Sequence, residues 1–460
     1  MNIVPIIFED HHLARMRPLS WSTPVSELRC GMFNTRERVG LCSGGDGGVL
    51  LGRSILGNLN RASGWDWGAE SIPKSGGEDD RFLFINGMLA PDFALVQGLF
   101  DLAAEGQDFV LLDGKDLVAA VVGADLASKA AENWNSWEKE NASRGVWTDP
   151  VLTPLTWTGA DFFSHEVAGS SQDLTAKLDK LATLQNAAPS WIWDIVGSTK
   201  DALLGDLEFV KEGVPFKREP FGIFPAPDQP APDWAEPTTL QETSHLVFCG
   251  EGVDLAPGTA IDTSGGPVIL DRQVRVMPNC FLEGPLYIGP GSLVKPGARI
   301  HGESSFGIVN RLAGEIGEST FGDFANKQHE GFIGHAVLGS WINLGAMTTC
   351  SDLKNNYGEI RVDLGSGTVA TGSRFVGLML GDHAKTAIGT LFNTGTCVGF
   401  ASNIFGVGMP PKYVGNFQWG GQDGSPPYAV DRARSTAGIV MARRGCQFTE
   451  AHGELFTALA

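Results

Sequence analysis

Residues 268–306 read VILDRQVRVMPNCFLEGPLYIGPGSLVKPGARIHGESSF. Leu270, Val276, Leu282, Ile288, Val294, Ile300 and Phe306 each follow the last by six residues. A period of six is neither the 3.6 of a helix nor the 2 of a plain strand. It fits a coil whose sides are short strands, three of which close one triangular turn. The anchors then point into the coil and stack, and Gly or Asn permits the positive φ that each corner needs. Leu255 and Ile261 lead into the run; Phe332, Leu338 and Leu344 resume it, as do Leu380, Thr386, Phe392, Val398 and Ile404.

The period breaks between Phe306 and Ile316, between Ile316 and Phe332, and between Leu344 and Ile360. Extra residues can leave a stacked coil only at a corner. HGESSFGIVNRLAGE, FANKQHEG and CSDLKNNYGEI therefore read as loops, and the functional site is expected around residues 305–360. The tail at 429–444 has helical spacing and carries Arg432, Arg434, Arg443 and Arg444. A helix there would cap the open end of the coil.

Upstream the texture differs. Short apolar runs at 4–8, 82–85 and 109–112 read as buried strands, and 91–106, 116–136 and 174–185 as helices, which makes a mixed α/β domain. GLCSGGDGGVLLG at 40–52 is glycine-rich without a phosphate-loop pattern and reads as a flexible loop. Seven prolines in 213–239 exclude helix and central sheet, so this stretch is a linker. The domains expected are 1–212, a linker at 213–244, the coil at 245–428 and a helical tail at 429–460.

Sixty of the 460 residues are glycine, about twice the usual share, and most of the surplus falls in the coil. The formal charge of -19 and the lack of a dense Lys/Arg run argue against nucleic acid and anionic lipid as partners. The charge leaves room for a local site for phosphorylated small molecules. Seven scattered cysteines without a CxxC pair suggest reduced thiols and a cytoplasmic location. The apolar run at 3–8 is too short for a signal or a membrane span.

Three constellations offer chemistry. In NKQHEGF (326–332), His329 can take a proton from an amine or hydroxyl, Lys327 can meet a phosphate, and Asn343 further along can hold a hydroxyl or carbonyl. Arg311, Lys354, Asn355, Asn356 and Tyr357 lie in neighbouring loops. In GDHAK (381–385) with FNTGT (392–396), His383 and Asn393 are either ligand contacts or corner residues. At the N-terminus, FED is followed by ARMRPLS, and a strand leading to an arginine-bearing loop is where an α/β sheet places a phosphate.

The coil sequence resembles left-handed β-helix acyltransferases. NKQHEGFIGHAVLGSWINLGAMTTCSDLKNNYGEI looks like the acetyltransferase stretch of the bifunctional N-acetylglucosamine-1-phosphate uridylyltransferase/glucosamine-1-phosphate N-acetyltransferase family. It is closer still to a variant bacterial family that pairs this coil with a divergent sugar nucleotidyltransferase domain. NTGT at 393–396 and PPKYVGNFQWGG at 410–421 also look like the variant family. The resemblance implies an α/β, Rossmann-like nucleotidyltransferase domain, then a left-handed parallel β-helix of hexapeptide repeats and a C-terminal helix. It makes His329 the catalytic base, sets Phe332, Asn343 and Ala346 near sugar and acetyl-CoA, and implies a homotrimer.

The N-terminal half resembles sugar nucleotidyltransferases through ARMRPLSWSTPV, which keeps Arg15, Pro18 and Leu19 of their signature. Glu9-Asp10 replaces the glycine loop, and Val25 stands where a lysine is expected, with Arg17 or Arg29 as its substitute. Gly87 matches the glycine before the Mg²⁺-binding aspartate. Met88 occupies the aspartate position, so Asp92 is the nearest substitute, and Asp194 resembles the second acidic position. The expected function is acetyl transfer from acetyl-CoA to an amino sugar phosphate in the coil, with nucleotidyl transfer from an NTP to a sugar 1-phosphate, using Mg²⁺, in the first domain. An acyltransferase with a degenerate N-terminal binding module and a non-enzymatic scaffold are the alternatives.

Overall fold

The computed structural model describes residues 2–45, 47–60, 65–72, 80–149, 151–163, 172–211, 213–218, 220–227, 232–421 and 425–460. Part of the proline-rich linker, 228–231, lies outside them. The chain forms two compact units. The first holds Met1–Ala14, Thr23–Leu28 and Phe33–Ser190; the second holds Arg15–Ser22, Arg29–Met32 and Trp191–Ala460.

The first unit is a mixed sheet with helices. Its described strands are β1 (Asn2–Phe8), β2 (Gly48–Leu51), β3 (Trp65–Trp67), β4 (Asp80–Asn86), β5 (Phe109–Asp113) and β6 (Asp116–Val122), in the order β3-β2-β1-β4-β6-β5. β1 is parallel to β2 and β4, and β6 runs antiparallel to β4 and β5. The helices are α1 (Thr35–Cys42), α2 (Ser54–Gly57), α3 (Phe93–Ala104), α4 (Ala124–Ser143), α5 (Gly159–Phe163) and α6 (Gln172–Gln185). Two sequence expectations are corrected here. Residues 116–122, read as the start of a helix, form β6: their run Leu117–Val122 is buried throughout, as a central strand requires. The glycine-rich stretch at 40–52 is divided between the end of α1 and strand β2 rather than forming one loop.

The second unit is a three-sided parallel coil with α7 (Asp194–Val210), α8 (Val430–Ala442) and α9 (Glu450–Ala458). The anchors stack in register. Leu270, Ile288, Phe306, Phe321, Leu338, Leu380, Val398 and Val414 form one inward column. Val276, Val294 and Leu312 form a second, and Leu282, Ile300, Ile316 and Ile333 a third. These residues are nearly all fully buried. Leu255, in the first turn of the coil, is 41% exposed. Phe332 is displaced by one from the expected pattern; Ile333 pairs with Ile316 and takes the inward place.

The breaks in the period have two causes. Between Phe306 and Phe321, and between Ile316 and Ile333, the turns of the coil are simply shorter, so 305–332 continues the strands instead of leaving as loops. An insertion does leave the coil after Thr349–Cys350 and carries an antiparallel hairpin, Arg361–Asp363 with Thr368–Ala370.

Helix α7 belongs to the coil unit, whereas the sequence reading assigns it to the first domain. The Asp206 carboxylate accepts the Met32 amide at 2.8 Å, and Thr199 meets Thr320 at 3.2 Å. The tail packs on a flank of the coil rather than over its end. Phe456 touches the rings of His383, Phe400 and Phe417, and Met441 joins Phe324 and Trp341.

Candidate functional site

Two regions hold part of the set singled out from the sequence. The first follows β1. Glu9 is buried (3% exposed), and its Oε1 accepts the Val25 amide at 3.0 Å. Its Oε2 accepts the Arg53 amide at 3.1 Å and Arg53 Nε at 2.9 Å, while Arg53 Nη2 reaches Oε1 at 3.1 Å. A carboxylate of the chain itself therefore saturates two backbone amides and a guanidinium, a donor set of the kind that binds phosphate. Asp10 beside it accepts Asn86 Nδ2 at 2.8 Å. Gly87 has no room for a side chain: a Cβ there would stand 2.8 Å from Val25 Cγ2.

The four cationic or glycine positions expected at a nucleotide fall in different units. Gly87 is in the first; Arg15, Arg17 and Arg29 are in the second. Arg17 is buried with its guanidinium 4.1 Å from the centre of the Trp21 ring, and Arg15 lies 5.2 Å from the centre of Trp191. Arg29 donates to the Met32 carbonyl at 2.5 Å and pairs with Asp323 at 3.6 Å. In the same segment Ser22 Oγ donates to Asp382 at 2.6 Å. The two carboxylates expected at Mg²⁺ start helices. Asp92 Oδ1 accepts the amides of Ala94 and Leu95 at the head of α3 in the first unit, and Asp194 accepts the Trp191 amide at the head of α7 in the second.

The second region is a cleft of about 510 Å³ on the coil, beside α8. Arg311, Lys385, Arg443 and Arg444 supply four cations to it, and Asn326, Gln328 and Asn343 supply amides. None of its described lining residues is acidic. Asn326 Nδ2 donates to Asn343 Oδ1 at 2.5 Å, which fixes both amide planes. Burial pulls Arg311 down to about 10, with Arg444 repelling it, and pulls Lys385 down to about 8. Arg444 is lowered too, by burial and then by Arg443. Arg311, Lys385 and Arg444 would regain stability from an anion placed among them.

His329 is exposed, one residue after Gln328 of the lining. Lys327, expected at a phosphate, turns the other way. It pairs with Leu312 in an inward column and is 2% exposed. Its Nζ donates to the carbonyls of Ala313 at 3.0 Å and His329 at 2.7 Å. Burial lowers its pKa to about 8. Lys327 thus holds the backbone of the candidate base instead of a ligand.

His383 is likewise buried rather than open to ligand. It stacks over Trp341 at 6.2 Å and meets Phe400 and Phe456 edge to face; burial and Lys385 push its pKa well down. Phe332 lies half-buried over Gly334. The Ala346 carbonyl accepts the Gly389 amide. Asn393 is exposed and accepts the Thr394 amide at 2.8 Å. In the insertion Lys354 Nζ donates to the Glu359 carbonyl, Asn356 accepts the Gly358 amide at 3.1 Å, and Tyr357 is 66% exposed. The sequence reading missed the joint role of Lys385, Arg443 and Arg444. Their separation along the chain hides it; the only available sign was an uncompensated arginine pair in an acidic protein.

An α/β unit with a mixed sheet, followed by a hexapeptide-repeat coil with a cationic cleft, defines the class of architecture. Comparison with known proteins agrees. Residues 5–214 match the model of a family described as sugar nucleotidyl transferase. The chain is similar to a bifunctional sugar-1-phosphate nucleotidylyltransferase/acetyltransferase of Sulfurisphaera tokodaii, 25% identical over 156 residues, which is 33% of this chain and 38% of that protein. It is also similar to the bifunctional protein GlmU of Prochlorococcus marinus, 28% identical over 154 residues, 32% of this chain and 29% of the other. The matched stretches thus span well under half of these relatives. No described helix is long and apolar enough to cross a membrane.

Proposed function

We propose that this protein is a two-activity sugar-phosphate transferase. The coil transfers an acetyl group from acetyl-CoA to the amino group of a sugar phosphate; the first unit joins a sugar 1-phosphate to a nucleotide from an NTP. The observation that supports the first activity is the four-cation cleft, whose lining includes Gln328, the residue before His329, in a chain of net charge -19. Both substrates are phosphorylated, and the cleft offers cations without counter-charge.

In the acyl step the sugar amine attacks the thioester carbonyl, a C–N bond forms, and His329 accepts the amine proton. The tetrahedral oxyanion collapses, the C–S bond breaks, and the CoA thiolate leaves and takes up a proton. Arg311, Arg443 and Arg444 hold phosphate, and the paired Asn326 and Asn343 orient the polar edge of the sugar. His329→Ala should lower kcat by about 10²- to 10⁴-fold with acetyl-CoA binding retained. The double change Arg443→Ala/Arg444→Ala should instead raise KM. Unchanged turnover in His329→Ala would remove it as the base. We further propose a cytoplasmic homotrimer.

For the nucleotidyl step, Asp92 of the first unit is proposed to meet Mg²⁺ through Oδ2, which has no hydrogen bond among the described residues. When bound, the ion would neutralise charge on the phosphates. One observation favours a second reading for this half, a binding module without transfer: Glu9 already fills the donor set of Val25 and Arg53. Pyrophosphate release from NTP and sugar 1-phosphate by the full chain separates the two readings.

A further inference from the structure

Asp10, His11 and His12 follow β1 directly and play no part in the reading above. One ligand atom from each lies within 4.8 Å of the others. The imidazole rings of His11 and His12 stand 3.8 Å apart.

The hydrogen bonds assign the protons. His12 Nε2 lies 2.8 Å from Asp116 Oδ2, and a carboxylate only accepts, so the ring proton is on Nε2. In the neutral ring His12 Nδ1 is then a bare lone pair. It is buried and has no hydrogen-bond partner among the described residues. A carboxylate that fixes the far nitrogen of an imidazole and raises the basicity of the near one is the outer support found at metal-bound histidines. Asp10 is 3% exposed and fixed from both sides: Oδ1 accepts the His12 amide at 2.8 Å and Oδ2 accepts Asn86 Nδ2 at 2.8 Å. Each oxygen keeps a further lone pair. His11 Nδ1 accepts the Trp157 amide at 3.3 Å, a long contact that a metal bond can replace.

We propose that Asp10, His11 and His12 bind one borderline divalent ion of the Zn²⁺ or Co²⁺ type, with Asp116 as the positioning carboxylate behind His12. Two imidazoles and one carboxylate select such an ion over Mg²⁺. The set supplies three ligands and leaves a fourth position open.

The test uses the full chain without a histidine tag, stripped with chelator and titrated with Co²⁺. Visible d–d absorption should saturate at one equivalent, and Zn²⁺ should bleach it. His12→Gln should abolish the signal, and Asp116→Asn should weaken binding about 10- to 100-fold. His335→Gln, elsewhere in the chain, should leave it intact. His12→Cys covers the case in which His12→Gln fails to fold: a thiolate-to-cobalt charge-transfer band appears only if position 12 ligates. Absence of stoichiometric binding in the native chain overturns the proposal. So does full binding in His12→Gln, or a His12→Cys spectrum without that band.

Discussion

Replacing Lys327 by methionine tests the most unusual side chain of the coil. The ammonium sits in the column of Val276, Val294 and Leu312 and is held by the carbonyls of Ala313 and His329. Burial lowers its pKa to about 8 from the unfolded value near 10.5. The sign follows from proton counting. Between these two values the unfolded chain binds the proton and the folded chain does not, so stability gains as pH rises across that window. A shift of about 2.5 units corresponds to about 3 kcal/mol at about 1.4 kcal/mol per unit. Methionine keeps the length and removes the titration, so Lys327→Met lacks this gain. The stability difference between native and variant chains should therefore change by about 3 kcal/mol between pH 7 and pH 10.5, in favour of the native chain at the higher pH. Guanidinium unfolding of the matched pair at several pH values measures it, because titrations common to both cancel. A difference independent of pH would refute the burial argument.

Two further outcomes follow from other buried groups. Glu9→Gln leaves the Arg53 guanidinium buried without its counter-charge, and about 3 to 5 kcal/mol should be lost from the first unit, visible by calorimetry as an earlier unfolding of that unit. Tyr287→Phe removes the hydroxyl that donates to Asp271 and accepts from Arg218, each at 2.5 Å; about 3 kcal/mol should be lost, and proteases should cut the proline-rich stretch around Arg218 more readily. A loss under about 1 kcal/mol in either variant would mean that water replaces the missing partner.

The coil was legible because its anchors obey a strict spacing, and Leu270 to Phe306 occupy the inward columns expected. The site was legible only in part. A shortened turn and an extruded loop interrupt a period in the same way, so 326–332 reads as a loop although it keeps to the path of the coil, with strands at Asn326–Lys327 and Phe332–Gly334. That error sends Lys327 outward on paper and inward in the structure. The corners gave a second surprise. Along one edge the positive φ falls on Val309, Phe324, Trp341, His383, Ala401 and Phe417, with no glycine or asparagine among these six. Each of their amides donates to a carbonyl of the turn below, and Phe324 stacks on Trp341 at 4.1 Å. Those bonds and ring contacts offset the cost of the left-handed conformation, of the order of 1–2 kcal/mol per residue. His383 is a corner residue of this kind, and nothing local in its sequence distinguishes it from a ligand. In the first half, the pairing of Glu9 with Arg53 joins residues far apart in the chain, and no motif announces it.

The division of the chain has a consequence for how it is made. The coil unit includes Arg15–Ser22 and Arg29–Met32, yet its partners for them, Asp382 for Ser22, Ser305 for Gly31 and Asp323 for Arg29, lie some three hundred residues later. During synthesis these early residues emerge long before the surface they fit. The first unit, which surrounds them in sequence, must therefore wait with two gaps in its chain, or close provisionally around them. A gene cut at residue 212 separates the early segments from their partners and should yield a coil that lacks part of its own flank.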